Sequence, residues 1–195
     1  LLSNSTTRIQ EIFNPFMKSS SFQDVFLWGH SNGGMYALQA AYSSKYRGLL
    51  LYGCSLSLIH FCLASYPRPV LTLMGERDGC LRCYRVAEEA LVLRDDLDRK
   101  LKCTTSNPQD VQRTERLRKP IIVLPELNHM QMARGILPAE TLATGRTDLS
   151  SDLSLNRAHS TIARVASDFL QVHSTTTNTA TKESENRLLQ LGKTT

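Results

Sequence analysis

The chain has 195 residues, of which 41% are hydrophobic, and this size and composition suit one globular domain with its own core. Its formal net charge of +5 comes mostly from residues 82–102 and 113–119, where basic and acidic side chains alternate. Such mixed charge is typical of a solvated surface, so we expect no nucleic-acid partner. No apolar run reaches the length of a transmembrane helix, and we expect no membrane span.

The five cysteines are odd in number and irregularly spaced, so they predict no disulfide framework. Cys80 and Cys83 form a C-x-x-C pair, but no second pair completes a zinc site, and we interpret them as structural. The chain starts at Leu1 rather than Met, so the natural N-terminus can lie upstream. No signal peptide is visible, and the default expectation is a cytoplasmic protein of undetermined oligomeric state.

The first predicted elements surround a glycine-rich stretch. Residues 7–17 carry apolar side chains at helical spacing, and Val25–Trp28 reads as a short buried strand. Beyond Gly34, apolar residues again follow the helical period. Between strand and helix lies Gly29-His-Ser-Asn-Gly33, a G-x-S-x-G pattern that is weak alone but occurs here at a strand-to-helix turn.

Three later apolar runs do not alternate with polar residues, which favours strands buried on both faces of a parallel sheet. Helical segments separate or follow these runs, so the sequence predicts an α/β fold with about four parallel strands flanked by helices. We expect a domain over residues 1–173, a polar and mobile insertion at 102–118, and a disordered tail at 174–195 with at most a helical turn near 188–191. The three strands are predicted at 48–53, 69–74 and 120–125, and the two main helices at 81–99 and 155–172.

Functional groups in a parallel sheet collect beyond the carboxyl ends of its strands. Ser31 follows the first predicted strand, Asp78 the third, and His129 the fourth. Glu76, two residues before Asp78, is an alternative acid. The other histidines do not follow a strand as His129 does; they are His30, which we expect to point away from the site, and His60, His159 and His173.

These three residues, in the order serine, acid, histidine, resemble the triad of the α/β-hydrolase superfamily. The resemblance covers roughly residues 5–173 and rests on G-H-S-N-G-G at 29–34, G-E-R-D at 75–78 and L-N-H at 127–129. The run at 127–135 and the following helix are loosely similar to chlorophyllase-like and dienelactone-hydrolase-like esterases. The resemblance implies a serine hydrolase that cleaves small-molecule carboxylic esters through an acyl-enzyme, without a metal or organic cofactor.

The resemblance also implies a role for each residue. Ser31 is the nucleophile on a strained bend, in which Gly29 and Gly33 leave room for the backbone. His129 is the general base, and Asp78 orients its ring. The backbone N–H of Asn32 binds the oxyanion at the start of the following helix.

One departure from the family pattern opens an alternative. The family sheet has about eight strands, and only the last four are identifiable here, so the loop that carries the second oxyanion donor is not found. We therefore expect the chain to be a truncated product or fragment of an α/β-hydrolase, with Val25–Trp28 at an open sheet edge. A non-catalytic remnant with a binding role, or with no independent role, is the alternative function.

Overall fold

The computed structural model describes residues 24–42, 46–55, 63–133, 139, 147–175 and 179–192. The predicted helix at 7–17 and His60 lie outside these residues. Four strands form one sheet, and each pairs in parallel with its neighbour in chain order. The strands are β1 (Phe26–His30), β2 (Gly48–Tyr52), β3 (Val70–Gly75) and β4 (Ile121–Leu124). The α/β fold and the parallel sheet are therefore as the sequence predicts.

Helices cover both faces of this sheet. Along β2, Leu49 and Leu51 pack into one apolar cluster with the first two helices, whereas Leu50 packs into a second cluster on the opposite face. This two-sided burial explains why the strand sequences do not alternate. No helix in the described part of the chain is both long and apolar enough to cross a membrane. The helices are α1 (Asn32–Tyr42), α2 (Cys83–Cys103), α3 (Pro108–Arg118), α4 (Leu155–His173) and α5 (Thr179–Leu191).

The predicted mobile insertion at 102–118 is wrong, because most of it is helix α3. Asn107 caps the helix by accepting a hydrogen bond from the Gln109 N–H, and Pro108 occupies the first turn, where a missing N–H has no cost. Leu117 is the buried residue of this helix, so the segment lacks the apolar stripe that would have identified it. The capping signals were in the sequence, but its polarity suggested a loop.

The predicted disordered tail at 174–195 is also wrong for residues 179–187, which are helical, while the helical turn predicted near 188–191 is the last turn of the same helix, α5. Leu188 on this helix is only 1% exposed and belongs to the cluster on the α4 face of the sheet. The buried carboxylate of Asp168 in α4 accepts hydrogen bonds from Ser184 and Arg187 of α5. The helix as a whole was not predicted because its sequence is polar and only a few of its side chains enter the core.

The predicted edge position of the first strand agrees with the sheet order, in which β1 has β2 as its neighbour among the described strands. Trp28 on β1 is 41% exposed, a large value for an aromatic side chain. Strand β1 also extends two residues further than predicted, through Gly29 and His30. Because of this extension the strand runs directly into the bend at Ser31.

Candidate functional site at the carboxyl edge of the sheet

All four strands run in the same direction, so the residues that follow them lie at one edge of the sheet. Ser31 follows β1, Gly53 follows β2, Asp78 lies in the turn after β3, and His129 begins a short 3-10 helix after β4. The structure therefore gathers at this edge the three residues singled out in the sequence. It adds Gly53, which was not predicted as part of the site.

Ser31 occupies a sharp bend between β1 and α1. Its φ angle is +52°, in the left-handed region that a residue with a side chain adopts at a cost of about 1–2 kcal/mol. The bend is fixed on both sides, because the Ser31 N–H donates to the Tyr52 carbonyl at 3.0 Å and the Gly34 N–H donates to the Ser31 carbonyl at 2.9 Å. A backbone held in this way fixes the position from which the Ser31 side chain projects.

The glycines around the bend differ in how much space a side chain would have at each position. A Cβ on Gly29 would overlap the backbone of Gly34, as expected for a residue that faces the returning chain. Our prediction for Gly33 is wrong, since a Cβ there meets no atom within 4 Å. Gly34 is the second glycine that close packing requires, because a Cβ on it would lie 2.6 Å from the Cβ of Cys54.

His129 and Asp78 form a buried pair. The Nδ1 atom of His129 lies 2.8 Å from Oδ2 of Asp78, and the side chains are 4% and 0% exposed, respectively. A carboxylate can only accept a hydrogen bond, so the proton of a neutral ring resides on Nδ1 and the lone pair on Nε2. The pair thus fixes the tautomer in which His129 can accept a proton through Nε2.

Between the two candidate acids, the structure places Asp78 beside the histidine. Its other oxygen, Oδ1, accepts hydrogen bonds from the backbone N–H groups of Cys80 at 2.9 Å and Leu81 at 2.6 Å. Glu76 is exposed, and its carboxylate accepts the Glu126 N–H at 3.1 Å in the turn after β4. The acid that orients His129 is therefore Asp78.

Gly53 provides the space in which the His129–Asp78 pair lies. Its φ angle is +55°, and a Cβ on it would lie 2.5 Å from Nδ1 of His129 and 3.1 Å from Oδ2 of Asp78. A glycine is thus required here both by the backbone conformation and by the neighbouring ring. The sequence signal was a glycine at the end of the predicted strand 48–53, which a turn also explains.

The segment that carries His129 is held by several hydrogen bonds. The hydroxyl of buried Tyr52 donates to the Asn128 carbonyl at 2.8 Å, and Asn128 and Gln131 exchange hydrogen bonds as a capping box. The carboxylate of Asp148 accepts the N–H groups of Gly79 and His129 through Oδ1 and of Met130 through Oδ2, at 2.9–3.0 Å. Asp148 thereby joins the aspartate turn to the histidine turn, and no sequence pattern distinguished it.

His30 does not point away from the site, contrary to our expectation. Its Nε2–H donates to the His129 carbonyl at 3.0 Å, and the centroids of the two rings are 4.7 Å apart. Burial lowers the pKa of His30, and the neighbouring His129 lowers it further. A neutral His30 supports the position of His129 without adding charge beside it.

Ser31 and His129 line one cavity of about 420 Å³, a volume within the range of small-molecule sites. Asn32 and Gly53 line the same cavity. Asn32 is the first residue of α1, and the first N–H groups of a helix have no partner within it. The cavity therefore combines a hydroxyl, an oriented imidazole and the positive end of a helix.

Two other described histidines lie in α4, away from this edge. His173 donates from Nε2 to the Leu117 carbonyl at 2.9 Å, and its pKa is lowered by burial. His159 lies in the same helix. Neither residue lines the cavity with Ser31.

One group of side chains at the site has donor atoms that a metal ion can use. Atoms of Asp78, Cys80 and His129 lie within 4.8 Å of one another. Nδ1 of His129 and Oδ2 of Asp78 are joined to each other by a hydrogen bond, so in this structure these two atoms are already paired.

The chain matches no protein-family profile and no curated protein sequence.

Proposed function

We propose that the protein is a serine hydrolase of the α/β-hydrolase type that cleaves carboxylic esters with Ser31, His129 and Asp78. The observation that carries the proposal is the combination of a serine at φ +52° and a histidine–aspartate pair at 2.8 Å around one cavity. A serine that only forms a turn requires neither a strained backbone nor an oriented imidazole that lines the same cavity. The order of the three residues along the chain also agrees with this class of enzyme.

Acylation follows from the tautomer of His129. As the Ser31 oxygen attacks the ester carbonyl carbon, its proton moves to Nε2 of His129, and the buried Asp78 carboxylate stabilises the imidazolium. The carbon–oxygen bond of the ester then breaks, and the Nε2 proton passes to the leaving alkoxide. The products of this half-reaction are the free alcohol and an ester of Ser31 with the acyl group.

Deacylation repeats the same steps with water. His129 removes a proton from the water molecule as the water oxygen attacks the acyl carbon. The bond between this carbon and the Ser31 oxygen then breaks, the carboxylic acid is released, and the proton returns to the Ser31 oxygen. In both halves the carbonyl oxygen becomes negative in the tetrahedral intermediate. The Asn32 N–H is the donor that we assign to this oxyanion, because it follows the nucleophile at the start of α1 and the helix dipole has the favourable sign.

Substrate size is suggested by the cavity, whose volume of about 420 Å³ suits small or medium esters. The chemistry requires no organic cofactor, because proton transfer and nucleophilic attack use protein groups alone. Polar side chains of Arg82, Arg85 and Tyr84 share the cavity with Ser31.

A fluorophosphonate probe tests the proposal, because it reacts with a serine hydroxyl that a base has activated. We expect labelling of Ser31, none in Ser31→Ala, and labelling slower by about 10²–10⁴-fold in His129→Ala. Ser150→Ala is a control, since Ser150 is exposed and lies outside the cavity. Hydrolysis of a short p-nitrophenyl ester should follow the same order.

The alternative is a non-catalytic protein of the same fold. Protein that is folded by circular dichroism but neither reacts with the probe nor hydrolyses the ester would support that alternative. Labelling that persists in Ser31→Ala would place the reactive group elsewhere and would also contradict the proposal.

A further inference from the structure

The cavity that contains Ser31 and His129 has a cationic wall. Arg82 and Arg85, at the beginning of α2, line it together with Tyr84. None of the described residues that line this cavity is an aspartate or glutamate. Among these residues, the formal charges around the candidate nucleophile are therefore positive.

The start of α2 increases this positive potential. Helix α2 has 21 residues, Arg82 is its N-cap, and its first turn contains no acidic residue. Natural helices favour acidic side chains at this end, because the macrodipole is equivalent to about half a positive charge there. Two arginines at such a position repel the dipole, and an external anion would relieve that repulsion.

Neither arginine is strongly neutralised by the described part of the protein. Arg82 takes part in none of the ion pairs between described residues. Arg85 has a single exposed contact of 3.5 Å with Glu88, and its guanidinium lies 5.0 Å from the centre of the Tyr84 ring. Exposed pairs of this kind are weak, so Arg85 can exchange Glu88 for a ligand.

The carboxylate of Asp78 in the candidate triad and that of Asp148 beside the histidine turn have other partners. Asp78 accepts from His129, Cys80 and Leu81, and Asp148 accepts from three backbone N–H groups. These bonds hold both carboxylates in the turns that position the histidine. Neither carboxylate therefore forms an ion pair with Arg82 or Arg85.

We propose that the substrate is an ester that carries a second, anionic group, either a carboxylate or a phosphate, which Arg82 binds with help from Arg85. The inference rests on the proposed hydrolase function and names its substrate class. The anion lies at the start of α2 while the ester carbonyl lies at Ser31, both within the same cavity. A guanidinium can hold either kind of anion with two parallel hydrogen bonds, which also fixes the orientation of the ester.

Three p-nitrophenyl esters with the same chain length test this substrate class. The first is the mono-ester of adipic acid, the second is its methyl ester, which lacks the charge, and the third has a phosphonate in place of the free carboxylate. We expect kcat/KM to be about 10- to 100-fold higher for the anionic esters than for the neutral one, as charged hydrogen bonds of this type allow. The carboxylate and phosphonate arms show which anion is preferred.

Arginine variants test whether this preference for anionic esters depends on Arg82. Arg82→Gln should remove most of the preference for the anionic esters, because it should lower kcat/KM for them at least about tenfold more than for the neutral ester. Arg99→Gln is the matched control, because it removes the same charge from an exposed position of α2 outside the cavity. A wild-type preference near unity, or an equal loss on charged and neutral esters in Arg82→Gln, would overturn the inference.

Binding of free adipate separates this inference from the proposed function. Calorimetric titration should show adipate bound to wild-type protein and to Ser31→Ala, and bound at least about tenfold more weakly to Arg82→Gln. If adipate binds in this way but no ester is hydrolysed, the anion site stands and the hydrolase function fails. If esters are hydrolysed but adipate neither binds nor inhibits, the function stands and the anion site fails.

Discussion

Replacing Gly53 by alanine tests whether the end of β2 controls the geometry of the candidate site. The new Cβ would lie 2.5 Å from Nδ1 of His129, which is 0.9 Å short of an ordinary contact of 3.4 Å. The same Cβ would lie 3.1 Å from Oδ2 of Asp78, so the ring cannot move aside without disturbing its hydrogen bond. Alanine at φ +55° also adds a backbone cost of about 1–2 kcal/mol.

These values give the expected size of the effect. A displacement of nearly 1 Å in a catalytic group lowers turnover by about 10²-fold. Gly53→Ala should therefore lower the rate of ester hydrolysis and of probe labelling by about two orders of magnitude. The free energy of unfolding should fall by about 1–3 kcal/mol, since backbone strain and steric overlap add together.

Gly33→Ala is the matched control, because a Cβ at Gly33 meets no atom within 4 Å and the residue lies in helix α1. We expect this variant to keep its activity and to gain up to about 1 kcal/mol of stability from the better helix former. Activities are measured with a p-nitrophenyl ester and stabilities by urea unfolding. If Gly53→Ala keeps activity within about threefold of the wild type, the reasoning that this glycine makes room for His129 is refuted.

Three further changes have defined outcomes. Asp78→Asn should retain the fold by circular dichroism but lose about 10⁴-fold in kcat, because the tautomer of the histidine is no longer fixed; a loss below about tenfold would contradict its role. Leu188→Ala should cost about 2–5 kcal/mol in urea unfolding, since this side chain is 1% exposed, whereas an undocked tail would lose nothing. Burial lowers the pKa of His30 and His173 below the usual 6.5, so the unfolded chain binds more protons than the folded one at acidic pH, and stability should fall as the pH drops below about 6.5. Urea unfolding of His173→Gln should show a smaller loss over that range, and an unchanged loss would contradict the assignment to this histidine.

The strands and the main helices could be predicted because they bury many apolar residues in short stretches. β2 and β3 are buried along their whole length, and their burial is visible in the sequence as runs of apolar residues. Helices α3 and α5 were not predicted, because each contributes little apolar surface to the core and is held by caps and side-chain hydrogen bonds. Periodicity detects burial, so elements with few buried residues fall below what it can detect.

At the candidate site, the sequence identified residues by type and by their position after a strand. Ser31, Asp78 and His129 could be named in this way. Tyr52 and Asp148 could not, because their contribution consists of hydrogen bonds to the backbone of other segments, 76 residues away for Tyr52. The position of His30 depends on where the His129 segment folds, so its neighbours along the chain do not indicate that it contacts His129.

The order of the strands explains why the end of β2 belongs to the candidate site. Ser31 follows β1 and His129 follows β4, at opposite edges of the four-stranded sheet. Neighbouring strands lie about 4.8 Å apart, so three spacings separate these strands by about 14 Å. The segment after β4 must therefore cross the ends of β3 and β2 before its histidine can line the same cavity as Ser31. At the end of β2 the Tyr52 hydroxyl binds this segment, and the next residue, Gly53, has no side chain to obstruct the ring. A serine, an acid and a histidine after parallel strands of one sheet are thus insufficient by themselves to form such a site, because the end of the strand between them must also leave space for the histidine.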